Sequence, residues 1–313
     1  MFVDLSRDAR SLRLAGVADE MRDAEPTLRH VLWIGGAPGS GKTTIGRWLA
    51  HRYDLRSYNA DAYTWAHHDR SLADGDAGAT RWEALSADER WLAVPPDEMA
   101  RFSLEMNAER FRKMVDDVRA LPARPAVVME GTPLLPWLVE RHLTDDAAAV
   151  WLVPAPEFQR ALLSERPTTT FAETSDPARA LANRIERERR VSEAIERAAG
   201  ERGYTVLRVD ESRDVDTMKT LVEEALGASL AVAARASAGA ELRAIRRSEN
   251  EILLGQVRTY LERVPAAGAP EDVSLPFSCE CGRSGCELRA TLTPAACEQL
   301  VRGGAAIEAP EHG

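Results

Sequence analysis

A chain of 313 residues, 44% hydrophobic and 29% charged, has the balance of a folded globular protein and length for about two units. No apolar run approaches the ~20 residues that cross a bilayer, so a membrane partner is not expected. The net charge is −10 and no basic stripe is visible, which argues against a nucleic-acid partner.

The first thirty residues mix acids and bases without the basic start and apolar stretch of a secretory signal, so the expected compartment is the cytoplasm. Residues 1–29 read as a charged, partly helical arm. His30-Val31-Leu32-Trp33-Ile34 is a short apolar strand, followed by a glycine-rich turn and a helical stretch over 43–51. Residues 56–59 make a weaker strand ending near Asp61. Helical segments fill 88–121 with a break at Pro95-Pro96, and 126–129 and 148–153 read as buried strands. A long arginine-rich helix over 178–200, a last strand over 205–209 and a last helix over 214–226 complete the pattern. Short apolar strands alternating with helices predict an α/β fold over 30–227, a five-stranded parallel sheet with helices on both faces. There is no internal repeat. Residues 228–270 read as a helical linker, and 271–313 as a small module holding all four cysteines.

Gly36-Ala37-Pro38-Gly39-Ser40-Gly41-Lys42-Thr43-Thr44 contains the pattern G-x-x-x-x-G-K-[ST] in its required context, after a strand and opening a helix. Glycines let the backbone wrap phosphate oxygens with its N–H groups pointing inward, and the helix start favours an anion. Lys42 supplies a point charge for the β/γ-phosphates, and the Thr43 hydroxyl supplies one position on magnesium. The cofactors this predicts are ATP and Mg2+.

Three further groups belong near such a loop. Glu130 ends an apolar strand, and ligands of parallel sheets collect at the carboxyl ends of strands, so it is expected to face the loop and arrange metal or water. Asp61 follows the second strand and is a candidate base for an acceptor hydroxyl or a ligand for magnesium, or else a helix cap. Arg184, Arg187 and Arg190 recur at spacings of three on one helix, and Arg166 precedes them; one or two of these are expected to reach phosphate, with Arg184 and Arg187 the catalytic candidates. Tyr63, Trp65, His67 and His68 sit where an acceptor pocket would form, although the two histidines read as surface residues.

Together, residues 36–44, Asp61, Glu130-Gly131, the loop over 168–176 and Asn183-Arg184-Ile185-Glu186-Arg187 resemble the adenylate kinase-like P-loop kinases. The resemblance covers about residues 30–227. It implies a P-loop NTPase fold, an acceptor region between the second and third strands, and a lid with arginines near its hinges. Glu130-Gly131-Thr132-Pro133 is similar to that family's Asp-Gly-x-Pro turn, with glutamate for aspartate. Leu134 stands where the family carries an arginine that grips a nucleoside monophosphate, which points toward another small acceptor, an alcohol or a sugar.

The cysteines fall at Cys279, Cys281, Cys286 and Cys297. C-x-C-x4-C with glycines between predicts three thiolate ligands for Zn2+, with His312 favoured over Cys297 as the fourth. The segment also resembles a cysteine-containing tail appended to several bacterial proteins. Two functions follow. The first is a kinase passing a phosphoryl group from ATP to a small-molecule or nucleotide acceptor. The alternative is a nucleotide-gated regulatory ATPase whose zinc module docks a partner.

Overall fold

The computed structural model describes residues 28–165, 171, 173–264 and 273–312. Most of the expected arm, Arg166, and residues 168–170 and 172 of the 168–176 loop lie outside the described residues.

Five strands, β1 (Val31–Gly36), β2 (Arg56–Asn59), β3 (Val127–Glu130), β4 (Ala149–Pro154) and β5 (Thr205–Val209), pair in the order β2-β3-β1-β4-β5. Every pairing is parallel. The sequence predicts this α/β sheet. Strands covered on both faces have no side to expose, which is why β1 and β4 are apolar along their whole length and buried throughout.

Alternation along β1 divides the core. Val31 and Trp33 face α5 (Pro96–Ala120) and α8 (Pro177–Glu201), packing with Phe111, Met114, Val191 and Ile195. Leu32 and Ile34 face α1 (Lys42–Arg52) and α9 (Val215–Ala225), packing with Ile45, Leu49, Met218 and Val222. Both long helices start on proline at their first turn, where the missing N–H costs nothing. Asp176 caps α8 by accepting from the Arg179 N–H.

Between β2 and β3 the chain inserts α2 (Thr64–Ala73), α3 (Ala77–Ala84) and α4 (Ala87–Trp91) before α5. These short helices pack at the carboxyl end of the sheet and form a second apolar cluster around Trp91, Met99, Phe171 and Ala180. The chain continues through α6 (Pro136–Val139) to β4, and through α7 (Pro156–Glu165) to α8.

The stretch read as a linker contains α10 (Gly227–Val232) and α11 (Ala240–Arg263). Helix α11 buries polar side chains as well as apolar ones. Arg246 donates to the carbonyls of Leu55 (3.0 Å) and Ala50 (3.3 Å), and Glu249 accepts from the Ser57 N–H at 2.8 Å. On its other side Asn250 pairs with the backbone of Ser278 through two bonds of 2.8 and 2.9 Å. The tail forms an antiparallel hairpin, β6 (Leu275–Ser278) and β7 (Arg289–Leu292), followed by α12 (Pro294–Arg302). Phe277, Ala290, Cys297 and Ile307 make its small core, which Leu254 of α11 completes. Among the described residues, no helix is long and apolar enough to cross a membrane.

Candidate functional site

At the carboxyl end of β1 the backbone turns over β4. A Cβ on Gly36 would stand 2.0 Å from the Leu152 carbonyl oxygen, so no larger residue fits there. Gly41, with φ of 78°, leads directly into α1, and no side chain caps that helix, leaving its first N–H groups for another acceptor. Inside the turn Ser40 and Lys42 are buried and both donate to the Ala37 carbonyl, at 2.9 and 2.7 Å. Gln159 of α7 donates to the Pro38 carbonyl at 2.9 Å and is itself held by Ser192 of α8. The sequence gives no signal for that buttress, because its three parts are far apart along the chain. Thr43 and Thr44 are exposed on the first turn of the helix.

Sheet register brings the remaining groups to the same level. Glu130 pairs with Ile34 of β1 and Asn59 of β2, two residues before Gly36 and Asp61 respectively. Gly131 allows this approach, since a Cβ there would lie 2.4 Å from that of Ala60. Gly46 of α1 leaves room for the Glu130 side chain, whose Cγ would be 3.0 Å from an added Cβ. Glu130 is 2% exposed and its Oε1 has no hydrogen-bond partner among the described residues. Burial first, and the Asp61 charge second, push its carboxyl up to about 8, against the pull of Lys42 and a hydrogen bond with Thr43. Burial lowers Lys42, while Glu130, Asp61 and Glu188 hold it up. Asp61 is exposed, and the helix cap at this point is Asn59, which accepts from the Asp61 N–H at 2.8 Å.

Asp61 also lines a cavity of about 670 Å³ bounded by the helices between β2 and β3 and by Arg184 and Arg187 of α8. Both arginines face Glu188, which is buried: Arg187 bonds to it directly and Arg184 lies 3.9 Å away. Arg190 turns elsewhere, pairing with Asp97 and with Glu186 at 2.9 Å. A residue the sequence does not single out, Arg110 of α5, donates to the Ala60 carbonyl (2.9 Å) and Thr64 (3.2 Å) beside Asp61. Burial lowers its pKa, with Asp61 countering. Trp65 and His68 line the cavity as the pattern predicts. Neither histidine is on the surface: His68 is 8% exposed and bonds Glu83 at 2.6 Å, and His67 is fully buried against Asp117 at 2.8 Å. The expectation fails because α2 is covered by α11 and α5.

The second constellation is in the tail. The ligand atoms of Cys279, Cys281, Cys286 and His312 all lie within 4.8 Å of one another. Cys286 Sγ and His312 Nε2 are 3.3 Å apart, near the ~3.5 Å that two ligands at zinc distances would keep on a tetrahedron. Backbone N–H groups of Arg283 and Ala309 donate to Cys281 Sγ (3.4 Å) and Cys279 Sγ (3.3 Å), the outer support a thiolate site requires. Three sulfurs and one imidazole fit a metal such as zinc. Burial pushes the free Cys286 thiol up to about 12, and a bound cation would reverse that shift. Cys297 is fully buried in the tail core, away from the cluster.

No family model matches the chain, and no curated protein matches it. Among solved structures, one described as an uncharacterized protein from Eubacterium ventriosum ATCC 27560 is similar over 63% of this chain and 98% of its own. Its identity is 16% and its TM-score 0.31, too slight a likeness to bear on fold or function.

Proposed function

We propose that the chain is an ATP-dependent kinase of the P-loop class, acting on a small acceptor in the cavity beside Asp61. The observation that carries the reading is the convergence of four groups. The glycine turn with its buried lysine, the buried strand-end Glu130, the exposed Asp61 and the Arg184–Arg187 pair all belong to one electrostatic neighbourhood at the carboxyl edge of the sheet. Phosphoryl transfer needs positioning and charge neutralisation more than covalent help, and these are the groups that supply both.

In this reading the backbone of residues 36–44 and Lys42 hold the β- and γ-phosphates. Thr43 and Glu130 would hold Mg2+, whose charge would neutralise that of the phosphates. Asp61 accepts the acceptor's hydroxyl proton as the new O–P bond forms and the bond to the β-phosphate oxygen breaks. Arg184 and Arg187 face the charge of the group in transit. In the tail, Zn2+ held by Cys279, Cys281, Cys286 and His312 is structural, because four protein ligands leave no open position.

Incubation of the purified chain with Mg-ATP labelled in the γ-phosphate and a small-molecule extract should give a labelled organic product. Lys42→Ala should give none. Release of inorganic phosphate alone would contradict transfer and favour the second reading, a nucleotide-gated regulatory protein. One observation favours that second reading. Helix α11 joins the tail to the acceptor side, bonding Cys281 through Arg243 (3.1 Å) at one end and the Trp65 N–H through Gln256 (3.0 Å) toward the other.

A further inference from the structure

The charges in the acceptor cavity are largely committed to one another. Arg81 pairs with Glu98 at 3.3 Å and lies over the Phe102 ring at 4.7 Å. Arg90 donates to the Trp82 carbonyl at 3.0 Å and covers the Trp82 ring at 4.7 Å. Arg187 faces Glu188 and the Trp91 ring at 4.8 Å, and Arg184 lies between Glu188 and Phe171. Arg110 is held by a carbonyl and a hydroxyl. Of the carboxylates, Glu89 accepts from Ser86, and Glu109 accepts from the N–H groups of Gly78 and Ala79. The Asp61 carboxylate accepts no hydrogen bond from a described residue and is exposed at the cavity, while its backbone carbonyl accepts from the Thr64 hydroxyl at 3.0 Å.

Between these pairs the wall is aromatic and thioether: Trp65, Trp82, Trp91, Phe102, Met99 and Met106. Trp82 is the centre of the group, edge-on to Trp91 with centroids 6.0 Å apart and stacked on Phe102 at 6.4 Å. Only Trp91 and Met99 are fully buried; Trp65, Trp82 and Phe102 keep part of their surface open. A phosphorylated acceptor needs an arginine fork of its own; in the kinase reading Arg184 and Arg187 serve the transferred group, and Arg81, Arg90 and Arg110 are held by Glu98, the Trp82 carbonyl and the Ala60 carbonyl. A sugar needs many polar groups aimed inward, and of the uncharged ones in the lining Thr64, His68 and Asn107 are already bonded to the Asp61 carbonyl, Glu83 and the Ser103 carbonyl, which leaves chiefly Ser71 and Ser103. Rigid aromatic walls around about 670 Å³ suit instead a flat apolar body.

We propose that the acceptor is an uncharged molecule with an aromatic body bearing a hydroxyl, packed against the parts of Trp65, Trp82 and Phe102 left open to the cavity, with that hydroxyl presented to Asp61. This rests on the kinase reading and names its substrate class. The hydroxyl oxygen bonds to the γ-phosphorus, its proton passes to Asp61, ADP leaves, and the product is an aromatic-alcohol phosphate ester.

The test uses the full chain with labelled Mg-ATP and three sets of acceptors at equal concentration. These are naphthylethanol and phenylethanol, then AMP, CMP and UMP, then glucose and glycerol. The aromatic alcohols should be phosphorylated at least about 10-fold faster than either other set, a difference of one good stacking contact. Trp82→Ala should raise the KM for naphthylethanol about 5-fold or more without changing the KM for ATP, and Trp82→Phe should restore most of the loss. Preferred transfer to nucleotides or sugars, no transfer to any aromatic alcohol by protein that binds ATP, or an unchanged acceptor KM in Trp82→Ala overturns the proposal. Failure to bind ATP in calorimetry overturns the kinase reading instead.

Discussion

The loop at residues 36–44 and the cysteine cluster at 279–312 are both built from glycine turns and polar ligands, yet they are organised oppositely. At the loop, polar groups keep unused hydrogen-bonding capacity at the carboxyl edge of the sheet. Among the described residues one oxygen of Glu130 has no hydrogen-bond partner, and the exposed Asp61 lines a cavity of about 670 Å³. At the tail, four ligand atoms point inward at one another within 4.8 Å, and two N–H groups support the sulfurs from behind. The first arrangement suits a ligand that enters and leaves. The second suits an ion that stays. In the proposed reading one chain separates chemistry from stapling, and α11 bonds Cys281 in the tail and Trp65 beside the cavity.

That contrast can be broken most severely at the tail. If the cluster is a staple, Cys286→Ser or prolonged chelation should cost on the order of 5 kcal/mol and melt the hairpin, since a segment this small draws its stability from the metal. Thermal unfolding, with zinc measured by elemental analysis, reads this; an unchanged midpoint would make the cluster an ordinary set of thiols. At the open site, Asp61→Asn should slow transfer by about 10²- to 10⁴-fold with little change in ATP affinity or melting temperature, the range for losing a general base. Loss of stability instead would assign Asp61 to structure.

A smaller effect concerns Glu130. Its folded carboxyl titrates near 8 against an ordinary 4.5, so the folded state holds a proton that the unfolded chain releases first. Stability therefore falls as pH rises from about 4.5 toward 8, and is unaffected below that range. Glu130→Gln, which cannot ionise, should melt higher than the wild type by a margin that widens with pH across this window. Melting curves of the nucleotide-free protein at several pH values check it; a constant difference would mean Glu130 is not buried in its neutral form.

What was legible in the sequence was local. The strand, glycine turn and helix around Lys42 are contiguous, and the long apolar runs of β1 and β4 read directly as covered strands. The cluster Cys279–Cys281–Cys286 was legible for the same reason, and His312 followed because Cys297 falls on the apolar face of α12. The helices α3 and α4 are too short to show a period, so the aromatic wall at Trp82 and Trp91 was invisible. Arg110 and Gln159 matter only through contacts with distant segments. His67 and His68 read as exposed because nothing local announces that α11, nearly two hundred residues away, packs across α2. Helix α11 itself is a poor amphipath whose buried face includes Arg246 and Asn250, a pattern that hydrophobic spacing does not detect.

The proposed grip of residues 36–44 on a polyphosphate is measured directly by calorimetric titration of Mg-ATP into the full chain. Wild-type protein should bind with saturable heat, and Lys42→Ala, folded to the same melting temperature, should lose affinity by at least about 100-fold, the cost of one charge-assisted contact in a buried loop. No heat with the wild type, or equal affinity in the variant, would contradict it.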